Sequence, residues 1–139
     1  MVTMSDWNTA IIEEFRTNQG RVGGRFEGAP MILIHHVGAR SGTERVNPLV
    51  YFADGDRMLI MASKGGAPGN PDWYHTLKAH PRITVEVGAE TFPVDVTELT
   101  GEEREVMWAR VVERMPGFGE YQSKVSRLIP LLSLTRAAA

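Results

Sequence analysis

The stretch GARSGTERVNPLVYF, Gly38 to Phe52, decides how this chain folds; it leads through Ala53-Asp54-Gly55-Asp56-Arg57 into MLIMASKGGAPGNPDWYHTLKAHP, Met58 to Pro81. Arg45 to Phe52 and Met58 to Ser63 predict a β-hairpin, because two apolar runs flank an Asp-Gly-Asp turn. Pro48 has no N–H to give to a ladder and is expected at a bulge or an unpaired edge; a bulge there would re-aim its neighbours Asn47 and Leu49. Both ends of the hairpin carry groups suited to a planar anion. At one end Ser41 and Gly42, with Arg40 and Arg45, offer backbone N–H groups, a hydroxyl and guanidinium forks. At the other, Ala62-Ser63-Lys64-Gly65-Gly66 precedes Asn70-Pro71, which opens a short helix at Asp72-Trp73-Tyr74. Glycine lets the backbone approach a ligand, Lys64 supplies a point charge, and a helix N-terminus adds partial positive charge. Together they read as a cradle for a phosphate-bearing ring system. The plainer reading is ordinary surface cations and a core tryptophan, and spacing alone leaves the two level.

Outward from this hairpin, Ser5 or Asp6 caps a first helix that ends near Asn18, with Trp7, Ile11 and Phe15 on one stripe and Gly20 as its stop. The opposite face holds Glu13, Glu14 and a single Arg16, too few cations for a membrane-surface helix, so the stripe is assigned to the core. Gly20 to Pro30 is a glycine-rich loop and Met31 to Val37 a strand. Adjacent His35 and His36 face opposite ways on a strand and cannot share a metal. One of them is expected to be a hydrogen-bonded core histidine, and no metal site is expected. Arg82 to Val87 and Phe92 to Val96 alternate about Gly88-Ala89 as a second hairpin. Thr100 and Glu103 have capping-box spacing before a helix carrying Trp108, Val111, Val112 and Met115, stopped by Pro116-Gly117. A short segment around Tyr121 and a last strand from Ile129 complete an α+β domain with a mainly antiparallel sheet.

With 139 residues the chain suits one domain, read as residues 1–139 with an N-terminal helix over 1–19. A net charge of −2 gives no electrostatic footprint for nucleic acid. The absence of cysteine removes disulfides, thiolate metal sites and thiol catalysis, which fits a cytoplasmic protein and leaves redox chemistry to a cofactor. No apolar run approaches the roughly 18 residues of a membrane span, and no signal peptide is expected.

The ordered series Gly-x-x-Ser-Gly, Arg45-Val46-Asn47-Pro48-Leu49, Ala62-Ser63-Lys64-Gly65-Gly66, Asn70-Pro71-x-Trp73-Tyr74, His80-Pro81, Tyr121-Gln122 and Arg127-x-Ile129-Pro130 resembles the deazaflavin-dependent nitroreductase and quinone reductase family. The resemblance runs nearly the whole length of the chain. It implies a six-stranded split β-barrel with flanking helices, and coenzyme F420, a deazaflavin with a ribityl phosphate and an oligoglutamate tail. By the same resemblance Arg40, Arg45 and Lys64 hold the phosphate and tail, while Pro71, Asp72 and Trp73 pack along the ring and ribityl chain; because FMN lacks the acidic tail, Arg40 is the expected discriminator between coenzyme F420 and FMN. Ala39 stands where relatives often carry a second basic residue, Asp72 where an apolar one is common, and Val50 where some have tyrosine. Only Tyr121 remains of several tyrosines that close over substrate in nitroimidazole-activating relatives.

The implied activity is hydride transfer from reduced coenzyme F420 to a hydrophobic conjugated acceptor: a quinone, enone or coumarin-type lactone, with a nitroaromatic at the margin. Such a reaction needs positioning and exclusion of water more than a nucleophile. Ser63 or Tyr121 is the candidate to steady the oxyanion. The rival readings are an FMN- or haem-binding protein on the same barrel and a non-catalytic carrier of coenzyme or lipid. A monomer or homodimer in the cytoplasm is expected, with a peripheral seat on the inner membrane face compatible with it.

Overall fold

Six strands whose side chains alternate between an apolar interior and a covered or wet exterior wrap into a closed barrel. A computed structural model describes residues 4–24, 28–37, 42 and 44–137, with the backbone alone for residues 4–7. The elements are α1 (Met4–Thr17), β1 (Met31–Val37), β2 (Glu44–Asp54), β3 (Arg57–Met61), a 3-10 turn (Lys64–Gly66), α2 (Asp72–Ala79), β4 (Arg82–Val87), β5 (Glu90–Leu99), α3 (Gly101–Arg114), α4 (Pro116–Ser123) and β6 (Leu131–Arg136). The strands close in the order β1-β2-β3-β6-β5-β4, and every pairing is antiparallel. This is the α+β split barrel with flanking helices expected from sequence.

The interior is solid. Ile32 and Ile34 of β1, Ile60 of β3, Ile83 and Val85 of β4, and Leu132 and Leu134 of β6 meet there, and α2 plugs the end with Trp73 and Leu77. On the outside, α1 lays Ile11 and Phe15 over Met31, Leu33, Val46 and Val50. The Trp7 end of that stripe and the Ser5 or Asp6 cap lie outside the described side chains. Gly20 stops the helix as expected, at φ +95°, and a Cβ there would fall 2.8 Å from the Cα of Gly88 in the β4–β5 turn. Arg16 adds a two-pronged ion pair from α1 to Glu86 of β4, at 3.1 and 2.7 Å.

Against the opposite wall, α3 packs Met107, Trp108 and Val111 on Leu59, Met61, Leu99 and Leu131. Its start corrects the capping-box expectation: Thr100 is the extended N-cap residue, but its side chain makes no cap hydrogen bond. Glu103 turns instead to Arg57, at 3.4 Å, because the β2–β3 turn brings a guanidinium within reach. The final strand begins two residues later than Ile129, since Pro130 cannot donate to a ladder; its carbonyl accepts the N–H of Ala62 at 3.0 Å.

Pro48 pairs opposite Leu33 of β1, while β2 pairs with β3 only from Tyr51 onward. Tyr51 donates to Pro30 across the β1 side, so by alternation the ring nitrogen of Pro48 faces the side where β2 has no neighbour. The unpaired edge expected for this proline is therefore present, and it opens the rim of the barrel beside α2.

Candidate functional site

That rim carries a cleft of about 840 Å³, within the usual range for small-molecule sites. Asn8, Thr9 and Ile12 of α1 form one wall; Arg45, Val46, Asn47 and Pro48 of β2 form the second; Lys64 and Pro71-Asp72-Trp73 form the third, with His36 at the base. Arg45 and Lys64 are both exposed, and no carboxylate among the described residues pairs with either. The exposed carboxylate of Asp72 opposes them from the same cleft, leaving one net positive charge. An anionic ligand is thus favoured, with a salt-dependent affinity.

His36 is buried where β1 ends, with 3% of its surface exposed. Its Nε2 lies 2.6 Å from Asn47 Oδ1 and its Nδ1 2.6 Å from Thr76 Oγ1 of α2. Burial pushes its pKa below the ordinary histidine value, helped by Arg45 and His35 and opposed by the Asn47 bond. The ring is therefore neutral at pH 7. His35 points outward, between Glu44 at 3.2 Å and Glu86 at 2.6 Å. The alternation inferred from sequence holds, and His36 is the hydrogen-bonded core histidine. Among the described residues no three His, Asp or Glu side chains gather where they could hold a metal.

The Lys64 loop is held in an uncommon shape. Lys64 has φ +49°, a left-handed backbone that disfavours a residue with a Cβ. Gly66 N–H donates to Ser63 O at 3.0 Å and Ala67 N–H to Lys64 O at 3.1 Å, closing the turn. Arg127, in the segment between α4 and β6, clamps it from behind. Its guanidinium donates to Asn70 Oδ1 at 2.6 Å, Ser63 O at 3.0 Å, Ala67 O at 3.1 and 3.3 Å, and Ala62 O at 3.3 Å.

Of the residues singled out from sequence, Arg45, Asn47, Pro48, Lys64, Pro71, Asp72 and Trp73 come together on the cleft. Leu49 packs into the barrel interior and Ala62 is wholly buried there, Ser63 is 7% exposed, and Asn70 faces Arg127. Gly65 lies within the 3-10 turn, and Gly66 abuts α4, where a Cβ would sit 3.4 Å from the Cα of Tyr121. Gly42 takes φ +68°; Arg40 and Ser41 lie outside the described residues. Tyr121 is half-buried in α4, edge-on to Phe118 with ring centroids 5.6 Å apart, behind the Lys64 loop and off the cleft wall. His36, Thr76, Arg127 and the α1 wall had no assigned site role from sequence. The two histidines and the Arg-x-Ile-Pro series were visible, but nothing local in them shows what they face.

A closed antiparallel barrel with a basic, half-apolar cleft at its rim presents a site of small-molecule size. Residues 7–136 match the model of the F420H(2)-dependent quinone reductase family. An F420H(2)-dependent quinone reductase of Mycobacterium tuberculosis is 40% identical over 126 residues, covering 88% of this chain and 85% of the relative. A solved F420-H2 dependent reductase superimposes with a TM-score of 0.69 at 40% identity, covering 76% of this chain and 93% of that one. A second solved structure, described as a domain-swapped dimer, gives 0.71 at 38% identity over 95% of this chain and 99% of that one. The chain belongs to the F420H(2)-dependent quinone reductase family. Membership makes it an oxidoreductase with coenzyme F420 as its cofactor.

Proposed function

We propose that the cleft at the barrel rim seats reduced coenzyme F420 and presents it to a quinone, or to a similarly conjugated enone, coumarin-type lactone or nitroaromatic. The observation that carries this reading is the pairing of two exposed cations, Arg45 and Lys64, which have no carboxylate partner among the described residues, with a cleft of ligand size. The residues fit the group: Arg45 and Lys64 suit a ribityl phosphate and glutamate tail, and Ile12, Pro48, Pro71 and Trp73 suit the flat face of a ring. When bound, the reduced deazaflavin supplies a hydride. The chain's own work is to hold the ligand by charge, to keep water from the reacting face with its apolar wall residues, and to orient the ring through Asn47.

In this reading Arg40, Ser41, Gly42 and Gly65-Gly66 extend the anion cradle, while Asn70 sets the loop through Arg127. A hydroxyl to steady the oxyanion on the acceptor is sought at Tyr121, with Ser63 as the second candidate; since Tyr121 stands behind the Lys64 loop and off the cleft wall, this role requires the acceptor to extend past that loop toward α4. The protein works as a cytoplasmic monomer or homodimer on one domain spanning residues 1–139. No helix among the described residues is long and apolar enough to cross a membrane.

Lys64→Ala tests the placement. Fluorescence titration with coenzyme F420 is expected to show at least a tenfold weaker affinity, about 1.4 kcal/mol, in the variant. A variant that binds like the parent removes the coenzyme from this loop. Turnover with an acceptor panel, read against an NADPH control, then ranks quinones against the other acceptors and separates an enzyme from a carrier.

A further inference from the structure

We infer that His36 and Thr76 are positioning residues that fix the side-chain amide of Asn47 with its amino group toward the cleft, so that this wall recognises a hydrogen-bond acceptor on the ligand. The inference rests on the proposed placement of the coenzyme and specifies what Asn47 reads there. Three elements meet in the chain of contacts: Thr76 on α2, His36 on β1 and Asn47 on β2, each link 2.6 Å long. His36 and Thr76 are both buried, at 3% and 6% exposure, so neither can exchange its partner for water at no cost.

The direction of the bonds follows from what each atom can do. Asn47 Oδ1 only accepts, so His36 Nε2 must carry the proton facing it. A neutral ring then has an unprotonated Nδ1, which accepts from the Thr76 hydroxyl. The Thr76 hydroxyl also lies 3.0 Å from Trp73 O, but the contact to His36 is shorter by 0.4 Å (3.0 against 2.6). With one lone pair of its oxygen engaged below by His36, Asn47 turns its two amide N–H donors toward an occupant of the cleft it lines. Carbonyl oxygens on the edge of a ring, or hydroxyl and phosphate oxygens on its side chain, are accepted; a ligand presenting N–H at that point is rejected. Without the Thr76 hydroxyl, only the Asn47 oxygen favours the proton on Nε2, and an Nδ1–H ring facing a turned-over amide satisfies that contact equally well, so the tautomer and the amide become free to change together.

Two measurements test this. Nitrogen-15 NMR of the coenzyme-free protein is expected to show His36 as the neutral Nε2–H tautomer, and an Nδ1–H tautomer overturns the inference. Thr76→Val, which keeps the shape and removes the hydroxyl, is expected to shift that tautomer and to weaken coenzyme F420 binding by about fivefold, in the range of one neutral hydrogen bond. Thr76→Ser restores both. In an Asn47→Ala background the Thr76→Val loss disappears, because the group being oriented is gone. A loss that persists in that background, or survives in Thr76→Ser, shows a packing role and refutes the orientation. If Lys64→Ala weakens binding while Thr76→Val does not, this inference alone fails. If the parent binds no coenzyme F420, the proposed function fails and the orienting role with it, whatever the tautomer.

Discussion

Arg127 gives the sharpest way to ask whether the Lys64 loop is built for a ligand, because one guanidinium holds four acceptors of that loop and its flank: Ala62 O, Ser63 O, Ala67 O and Asn70 Oδ1. Arg127→Ala removes all of them at once. The 2.6 Å bond to Asn70 and the 3.0 Å bond to Ser63 are each worth about 1.5 kcal/mol as bonds from a charged donor. The contacts at 3.1 and 3.3 Å are longer and shared, so the loss is roughly 3 kcal/mol in all. The left-handed backbone of Lys64, which costs about 1 kcal/mol, then loses the clamp that opposes it. A loss of that size is comparable to the free energy that holds a surface loop closed, so the turn opens locally while the barrel stays folded. Hydrogen exchange reads this directly at the Gly66 and Ala67 amides, which close the turn onto Ser63 and Lys64. Both should lose protection, and coenzyme affinity should fall at least tenfold, about 1.4 kcal/mol. Arg127→Lys should not rescue, since an ammonium is a point charge without the planar fork. Unchanged protection at Gly66 and Ala67, or an open turn that still binds the coenzyme like the parent, refutes the reasoning.

Tyr121→Phe is expected to lower kcat with the coenzyme affinity and melting temperature of the parent if the hydroxyl serves the acceptor oxyanion; unaltered turnover with a lower melting temperature makes the hydroxyl structural. If the cleft cations meet the acidic tail as well as the ribityl phosphate, as proposed, coenzyme F420 should bind more tightly than FMN at low salt, by a margin that narrows as salt rises, and equal affinities at low salt contradict this. Glu86 is held below the usual carboxylate range chiefly by the Arg16 hydrogen bonds, with burial opposing and His35 assisting. Its folded pKa lies below its unfolded one, so its contribution is present above the unfolded value and is lost as pH falls through the folded one. Glu86→Gln should therefore show its full melting-temperature deficit at neutral pH and begin to lose it only as pH falls below the ordinary glutamate value, and a deficit constant into acid would rule the linkage out.

The hairpins were legible because one face of each strand is apolar: Ile83-Val85 and Phe92-Val94 declare their inward side by alternation alone. Turn chemistry set their ends, as at Asp54-Gly55-Asp56, where Gly55 takes φ +57° and Arg57 returns to Asp54 at 2.8 Å. The capping box was misread because sequence shows the spacing of Thr100 and Glu103 but not that Arg57 competes for the carboxylate. Much of the cleft was legible for a similar local reason, since glycine, proline and unpaired basic residues at strand ends mark where backbone and charge face a ligand. Leu49 and Ala62 lay within the same motifs yet pack into the interior: Leu49 shares the face of Asn47 but sits two residues deeper, opposite the fully buried Ile32, and Ala62 follows the end of β3, so depth from the rim, which a contiguous motif does not show, decides which residue meets the cleft. His36, Thr76 and Arg127 were out of reach, for each acts across a separation in sequence that only the closed barrel brings together, 40 residues from Thr76 to His36 and 57 from Arg127 to Asn70.

The plugged interior of the barrel separates two kinds of selection on this chain. With Trp73 and Leu77 filling the end and isoleucine, valine and leucine filling the rest, the interior is taken up by side chains, and apart from Trp73 the residues that fill it are not those that line the cleft. Asn8 faces the cleft from α1 while partly solvated, so its side chain can change size or polarity without opening a void, whereas Ile12 and Val46 line the cleft and also pack in the apolar layer under α1. A scaffold of this design is evolvable at its rim: new acceptors can be admitted one substitution at a time, with the thermodynamic reserve of the fold left intact.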